Sequence, residues 1–318
     1  MVFSPSFDRL TEGDTILITG VSGLLGSATA KEALQQGFRV RGITRDPSKL
    51  LELQSAFDQD FGDRFQVCGM DDLTKAESYA PHHLQGVSGV LHIANDASCD
   101  INKTVAATVG LMREAAKIPS VKAFTLTSSR AAAFDPPPPG ERLLVSSDTF
   151  LHDAVYRARS APADGYLAYQ ASKVESEKAA WDVYRKEGLG SKYAFNTILP
   201  DWVNGAPVNP RPGFYSTYTG MTEFYSGSYG PTSTFYFFTH PPSTCVALRD
   251  VAALHVISLA AGEVDRERLF ATQGTWCAAD VVQAITKVDV AWTPRRSTPR
   301  RHPCPAATSW SRTSGSAS

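Results

Sequence analysis

One segment of the chain, residues 16–34, joins an apolar run, a glycine-rich turn and an alanine-rich stretch without a break. It reads ILI, then TGVSGLLG, then SATAKEAL, as a buried strand leading through a turn into a helix would. In such a segment Gly20 forms the tight turn, Gly23 lets the backbone approach a pyrophosphate, and Gly26 lets the helix pack close to the strand. The N–H groups at the start of the helix then bind the phosphates. The segment therefore predicts a dinucleotide-binding unit and restricts the fold to the α/β class.

The glycine spacing is GxxGxxG, one residue longer in its first step than the common GxGxxG pattern. No Gly-Lys-Ser/Thr follows, so the turn is not a phosphate-binding loop of the Walker type. A glycine-rich turn that serves packing alone is the alternative interpretation.

A second strand, residues 38–44, ends at Arg45, and Lys49 follows four residues later. The end of this strand is where such folds bind the adenosine ribose: an acidic residue binds the 2′-hydroxyl, whereas a basic residue pairs with a 2′-phosphate. Arg45, helped by Lys49, favours NADP(H) over NAD(H). Asp46 permits the opposite interpretation, and an arginine at a strand end is also compatible with a merely solvated charge.

The sequence YQASK places Tyr169 and Lys173 four residues apart, on one face of a predicted helix. A free phenol has a pKa of roughly 10, too high for efficient proton exchange near neutrality. We expect the lysine to lower the pKa of Tyr169 by placing a cation beside the forming phenolate. Two surface residues on an amphipathic helix are the alternative, which the upstream glycine turn disfavours.

Strand and helix patterns alternate along the first 135 residues, which predicts an α/β, Rossmann-type doubly wound parallel sheet. A proline run at 136–139 cannot continue a helix or a central strand, so we expect a surface loop from there to Tyr166. The helix carrying Tyr169 should end at Gly188 or Gly190. The predicted strands are residues 15–19, 38–44, 64–68, 88–94, 122–128 and 193–199.

Taken together, these motifs resemble the extended short-chain dehydrogenase/reductase family. Within it the chain is most similar to fungal NADPH-dependent aldehyde/ketone reductases of the dihydroflavonol/cinnamoyl-CoA reductase-like group. The resemblance covers about residues 10–290. It rests on TGVSGLLG at 19–26, VRGITRDPSK at 40–49, DDL at 71–73, GVLHIA at 89–94, PSVKAFTLTSS at 119–129, YQASK at 169–173, NTILPDWVNGAP at 196–207 and LRDVAALHV at 248–256.

The resemblance implies a catalytic set of Ser129, Tyr169 and Lys173. Ser129 would hydrogen-bond the substrate carbonyl, with Ser128 as the substitute if the register slips by one residue. Tyr169 would be the general acid in reduction, and Lys173 would bind the nicotinamide ribose. For NADP(H) the implied contacts are Gly20, Ser22, Gly23, Leu24, Leu25, Gly26, Arg45, Lys49, Asp72, Leu73, Ala94, Tyr169, Lys173, Pro200 and Val203.

Composition is that of an ordinary globular enzyme, with 318 residues, 42% hydrophobic residues and a net charge of −1. The near-zero charge argues against a nucleic-acid partner or an acidic membrane surface. Neither a signal peptide nor an apolar span of about 20 residues is apparent, so we expect a cytoplasmic protein. The five cysteines are scattered, which predicts neither a metal site nor a disulfide framework.

The resemblance implies a Rossmann-type sheet with a smaller C-terminal substrate lobe. We therefore divide the chain into an NADP-binding Rossmann domain with the catalytic helix at 1–206, the main part of the substrate lobe at 207–290, and a tail at 291–318. Aromatic residues between 214 and 229 could line a substrate pocket or simply pack the lobe. The tail is rich in Pro, Arg and Ser, which predicts disorder. Related reductases continue here with an ordered segment, and this chain does not resemble it.

Three functions remain open at this level. The favoured one is NADPH-dependent reduction of an aldehyde or ketone to an alcohol, with a small-molecule carbonyl substrate and a place in fungal secondary metabolism, by a monomer or dimer. A non-catalytic NADP-binding regulator is the second, and such regulators typically lack the Tyr/Lys pair. An NAD-dependent sugar-nucleotide epimerase or dehydratase is the third, and Arg45 disfavours it.

Overall fold

A computed structural model of the chain describes residues 7–75, 78–79, 81–96, 98–137, 141–161, 164–209, 216–228 and 243–291. Its main sheet has seven parallel strands in the order β3-β2-β1-β4-β5-β6-β9. The order reverses between β1 and β4, which is the point where doubly wound sheets open a crevice at the carboxyl ends of their strands. The strands are β1 Thr15–Thr19, β2 Arg39–Thr44, β3 Phe65–Gly69, β4 Val87–His92, β5 Ala123–Thr127, β6 Ala194–Pro200 and β9 Arg268–Ala271.

Helices cover both faces of this sheet. On one face α1 packs against α8, and on the other α4 packs against α6. The α-helices that the described residues form are α1 Leu24–Gln35, α2 Leu51–Phe61, α3 Pro81–Leu84, α4 Ile101–Ala116, α5 Ala154–Ser160, α6 Gly165–Lys186, α7 Ser216–Ser226, α8 Leu248–Ala260 and α9 Ala278–Val288. None of these helices is long and apolar enough to cross a membrane.

A second, three-stranded sheet forms the core of a smaller lobe. Its order is β10-β8-β7, with β7 Trp202–Asn204, β8 Ser243–Ala247 and β10 Gly274–Trp276. Trp202 and Trp276 pack with ring centroids 5.5 Å apart, and Phe224 and Val281 complete the buried cluster. The lobe is therefore held by apolar side chains that come from four separate parts of the chain.

The six strands predicted from sequence are present, with ends that differ by at most two residues. The lobe boundary at residue 207 differs from the structure in two places. Strand β7 comes before residue 207 but belongs to the small sheet. Helix α8 and strand β9 come after it, but α8 packs on the main sheet and β9 is one of its strands. The reason is that the chain contributes β7, α7 and β8 to the small lobe and then returns to the main sheet, where α8 packs against α1. Residues 229–242 and 292–318, including the predicted tail except Ala291, lie outside the described residues.

Helix α6, which carries Tyr169, is fixed at both ends. The Asp164 carboxylate accepts hydrogen bonds from the N–H groups of Tyr166 and Leu167 at 2.9 and 3.1 Å, as an N-cap does. The helix ends at Lys186, and Gly188 follows with a φ of 65°, in the left-handed region that glycine enters without strain. The predicted end at Gly188 or Gly190 thus lies within two to four residues of the observed one.

Buried polar bonds connect strand β5 to helix α8. The Thr125 and Ser258 hydroxyls are 2.9 Å apart. The His255 Nδ1–H group donates to the Val251 carbonyl at 2.7 Å, so its Nε2 accepts from the Thr127 hydroxyl at 2.8 Å. Burial lowers the pKa of His255 to about 4. The imidazole is therefore neutral in the folded protein near pH 7.

Acid should destabilise the fold partly through His255. In the unfolded chain the imidazole has its ordinary pKa of about 6.5 and takes up a proton as the pH falls below that value, whereas the folded protein resists protonation down to about pH 4. The free energy of unfolding should therefore fall by about 1–2 kcal/mol from this residue between about pH 7 and about pH 5. Urea denaturation across this range measures the change.

The control is His255→Gln, which cannot take up the proton. Its free energy of unfolding should be lower near pH 7 but should decrease less steeply with acid. Equal slopes in the two proteins would contradict this origin of the pH dependence.

Candidate functional site

A cavity of ≈ 1530 Å³ opens at the carboxyl ends of the main strands, beside the reversal between β1 and β4. Of the residues expected from sequence to form the site, all but Lys49 line it. Lys49 lies outside, with its ammonium 3.9 Å from the Asp46 carboxylate and its side chain 66% exposed. The predicted residues that the cavity brings together are Gly20, Ser22, Gly23, Leu24, Leu25, Gly26, Arg45, Asp72, Leu73, Ala94, Ser129, Tyr169, Lys173, Pro200 and Val203.

The three glycines of the turn have distinct steric requirements. Gly20 has a φ of 71°, and a Cβ there would meet the Ala94 nitrogen at 2.9 Å. A Cβ on Gly26 would overlap the Gly20 carbonyl group and approach the Val21 Cα at 2.9 Å. Gly23 is the extended N-cap of α1 and has no side chain to cap the N–H groups at the start of that helix. The first turn of α1 therefore faces the cavity with backbone N–H groups and no competing carboxylate.

Thr19 connects β1 to the end of β4. Its hydroxyl oxygen accepts hydrogen bonds from the N–H groups of Ile93 and Ala94, both at 3.1 Å. The hydroxyl proton is thus left for the Nδ1 atom of His92 at 2.9 Å. Burial, with the nearby Lys173 charge, lowers the pKa of His92 to about 3 and keeps it neutral. This contact fixes the crevice where the two strands diverge, and the sequence motifs alone did not reveal it.

Tyr169 and Ser129 face each other in the cavity, and Lys173 lies one turn further along α6. Burial raises the pKa of Tyr169 to about 12, although the Ser129 side chain acts in the opposite direction. Burial also lowers the pKa of Lys173 to about 8. The Lys173 ammonium donates to the Thr127 carbonyl at 3.1 Å and lies 5.9 Å from the centre of the Tyr169 ring.

The expectation that Lys173 lowers the pKa of Tyr169 is wrong for this structure. Desolvation of the phenol outweighs the polar contacts around it, and the Lys173 ammonium is directed at a backbone carbonyl. Near neutral pH the phenol is therefore protonated. A neutral phenol in hydrogen-bonding reach of a serine carries the proton that reduction requires, although a pKa of about 12 makes it a weaker acid than a free phenol.

The structure also distinguishes Ser129 from Ser128. The Ser128 hydroxyl donates to the Glu177 carboxylate at 2.6 Å, while Ser129 faces Tyr169. Glu177 is fully buried, and Arg268 on β9 pairs with it at 2.7 Å. Sequence reasoning missed both residues. They are 91 positions apart, so no local pattern joins them.

A second buried ion pair, also missed, lines the cavity. The Arg130 guanidinium lies 3.1 Å from the Asp201 carboxylate, with the two side chains 4% and 2% exposed. Burial disfavours the charge on Arg130, but the Asp201 carboxylate outweighs this effect and raises the pKa of the arginine. Arg130 also donates to the Phe134 carbonyl at 2.8 Å and to the Tyr166 hydroxyl at 3.5 Å. The pair thus provides the cavity with a rigid polar wall next to Ser129.

The neighbouring residues Arg45 and Asp46 differ in whether they reach the cavity. Arg45 lines the cavity. Asp46 caps the short 3₁₀ turn Pro47–Leu50, and its carboxylate accepts from the Ser48 N–H and hydroxyl at 3.1 and 2.6 Å. The Asp72 carboxylate likewise accepts from the Thr74 N–H at 2.9 Å and shapes its own turn. No group of three or more His, Cys, Asp or Glu side chains placed to hold a metal occurs among the described residues.

Residues 16–195 match the NAD dependent epimerase/dehydratase family. The chain is 30% identical to aldehyde reductase 2 of Sporidiobolus salmonicolor over 289 residues, covering 88% of this chain and 82% of that protein. It is also 30% identical to ketoreductase adrE of Penicillium rubens, covering 87% and 81%. Among solved structures it resembles yeast methylglyoxal/isovaleraldehyde reductase Gre2 complexed with NADPH, with a TM-score of 0.73, 20% identity and coverage of 87% and 83%.

The close approach at Gly26 generates a stability prediction. Gly26→Ala should lower the free energy of unfolding by about 1–3 kcal/mol, because the new methyl group must displace backbone rather than a flexible side chain. Gly274→Ala is the matched control: a Cβ there meets nothing within 4 Å, and the change should stay within about 0.5 kcal/mol. Urea denaturation compares the two, and equal stabilities would contradict the close packing of α1.

Proposed function

The chain belongs to the NAD dependent epimerase/dehydratase family, and we propose that within it the protein is an NADPH-dependent reductase that converts an aldehyde or ketone to an alcohol. The observation that carries this proposal is the meeting of Ser129, Tyr169 and Lys173 in a cavity that also contains the glycine turn. An aldehyde reductase and a ketoreductase at 30% identity support the same reaction.

The residues of the cavity fit a dinucleotide. Gly20 and Gly26 leave no room for a Cβ, and the uncapped start of α1 is suited to a pyrophosphate. Arg45 would pair with a 2′-phosphate, since Asp46 is engaged as a cap. Lys173 would hold the nicotinamide ribose, and Asp72, Leu73, Ala94, Pro200 and Val203 line the same cavity.

The cofactor, when bound, supplies the hydride, and the protein supplies orientation and a proton. The Ser129 hydroxyl donates a hydrogen bond to the substrate carbonyl oxygen and fixes it beside Tyr169. The Tyr169 hydroxyl, which is protonated because its pKa is about 12, then gives its proton to that oxygen as the alcohol forms. Arg130 and Asp201 keep the neighbouring wall rigid and do not exchange protons in this scheme.

The substrate end of the cavity combines an aromatic and a polar surface. Tyr166 contributes a ring, and the Arg130–Asp201 pair contributes polar atoms. A carbonyl compound of moderate size fits such a surface, in keeping with relatives named aldehyde reductase and ketoreductase. A place in fungal secondary metabolism, a cytoplasmic location and a monomeric or dimeric state stay predictions.

The wild-type protein should oxidise NADPH when given aldehydes or ketones, as the absorbance of the reduced nicotinamide reports. Tyr169→Phe should lower kcat by about 10² to 10⁴ while the dissociation constant for NADPH stays nearly unchanged, because only the proton donor is lost. Tyr156→Phe is the matched control, since that tyrosine is 75% exposed and lies outside the cavity.

A Tyr169→Phe variant that kept more than about a tenth of the wild-type kcat would require another proton donor. A wild-type protein that bound NADPH tightly but reduced no carbonyl compound would favour the regulator interpretation.

Cofactor preference should depend on Arg45. NADPH should be used better than NADH, and Arg45→Asp should raise the KM for NADPH far more than it changes kcat, because it removes binding present in both ground and transition states. Lys49→Ala should have a smaller effect, because that side chain lies outside the cavity. Steady-state kinetics with both cofactors measure the difference, and a wild-type preference for NADH would refute the assignment.

A further inference from the structure

Glu177 is the most completely enclosed carboxylate next to the site. The residue is fully buried on α6, eight positions after Tyr169 and four after Lys173. Side chains at this spacing lie on one face of a helix. The carboxylate accepts hydrogen bonds from Ser128 at 2.6 Å, from Thr197 at 2.9 Å and from the Arg268 Nε and Nη2 atoms at 2.7 and 3.2 Å. It therefore joins the catalytic helix to β6, to β9 and to the end of β5.

The residue that Glu177 holds, Ser128, directly precedes Ser129. Side chains alternate along an extended chain. Thr125 and Thr127 contact α8 on one face of the sheet, and Ser128 contacts Glu177 on the opposite face. Ser129 is also extended, with φ −159° and ψ 152°, but it lies beyond the end of β5, where its side chain lines the cavity and contacts Tyr169. Because Ser129 directly follows Ser128, holding the Ser128 side chain fixes the backbone from which Ser129 faces Tyr169.

Glu177 also acts on Lys173 electrostatically. The charged and titratable groups that face the Lys173 ammonium are Glu177 and Tyr169 on the same helix, Cys99 before α4 and His92 on β4. His92 and the Tyr169 phenol are neutral near pH 7, and burial raises the pKa of the Cys99 thiol, so that thiol is neutral as well. Glu177 is the group in this set that favours the charged form of Lys173 when the thiol is neutral.

Arg268 allows Glu177 to act without an uncompensated charge. The guanidinium lies 3.7 Å from the centre of the Phe150 ring and donates to the Ser147 carbonyl at 3.1 Å and to the Thr149 carbonyl. The guanidinium therefore contacts both the Glu177 carboxylate and the segment before α5.

We propose that Glu177 is a positioning residue for the reaction: it holds the Ser128 hydroxyl so that Ser129 faces Tyr169, and it keeps a carboxylate one helical turn from Lys173. This role rests on the proposed reductase function, because Ser129 and Lys173 act on the substrate and cofactor of that reaction. Glu177 itself touches neither.

The first test separates positioning from stability. Ser128→Ala removes the link between Glu177 and the register of Ser129, whereas Thr125→Val removes a buried hydroxyl on the same strand that bonds on the opposite face. We expect Ser128→Ala to lower kcat by about 10- to 100-fold with little change in the KM for NADPH. Thr125→Val should leave both constants near wild type. A kcat for Ser128→Ala within about twofold of the control would overturn the link to Ser129.

The second test measures the pKa of Lys173 in the protein without cofactor. Competitive acetylation with acetic anhydride at a series of pH values, followed by mass spectrometry, gives the pKa of Lys173. Glu177→Gln should lower this pKa, because the amide no longer favours the ammonium. Ser176→Ala is the control on the same helix as Glu177: it loses only a bond to Thr108 of α4 and should leave the pKa of Lys173 unchanged. An unchanged pKa in Glu177→Gln would overturn the electrostatic role.

Because Glu177→Gln leaves Arg268 without its counterion, the double variant Glu177→Gln/Arg268→Met serves if the single variant fails to fold. It should show the same lower pKa of Lys173. The acetylation measurement does not depend on turnover. A wild-type protein that reduces no carbonyl would therefore refute the proposed function, while the role of Glu177 towards Lys173 would still be decided.

Discussion

The arrangement of this site depends on one buried ion pair, between Glu177 on the catalytic helix and Arg268 on the last strand of the main sheet. Burying two charges costs free energy that is recovered only when both are fully hydrogen-bonded. Here the carboxylate has Ser128 and Thr197 as further donors, and the guanidinium has the carbonyls of Ser147 and Thr149. Loss of one partner would leave a charge in the core, at a cost of about 3–5 kcal/mol. The pair therefore locks the helix in one position over the strands.

The Arg130–Asp201 pair does the same for the other side of the cavity. It joins the turn after β5 to the link between β6 and β7, so the serine and the tyrosine lie between two rigid polar connections. Such a frame keeps the reacting groups in place without relying on loop packing. It also explains why a phenol that is so weakly acidic stays well oriented for proton donation.

The parts of the molecule that are encoded locally were predictable. The glycine turn and the apolar strands are readable because each depends on neighbours in sequence. The choice of Ser129 over Ser128 came from the family resemblance, because the contact that holds Ser128 involves a glutamate 49 residues away and leaves no local pattern. The pKa of Tyr169 was predicted in the wrong direction, because spacing reveals the lysine but not the depth at which the phenol is buried. Composition likewise does not show that, after residue 207, the chain returns to the main sheet in α8 and β9.

Arg268 has a consequence for how the protein is made. It is synthesised 91 residues after its partner Glu177, which at about 5–20 residues per second is a delay of about 5 to 18 s. During that interval the helix with Tyr169 and the strand with Ser128 have emerged, yet the carboxylate that joins them has no counterion. Burying that carboxylate without its counterion costs free energy, so states in which water solvates it are favoured until β9 has been made. We therefore expect the nascent chain to complete its reactive centre only after β9 has been translated.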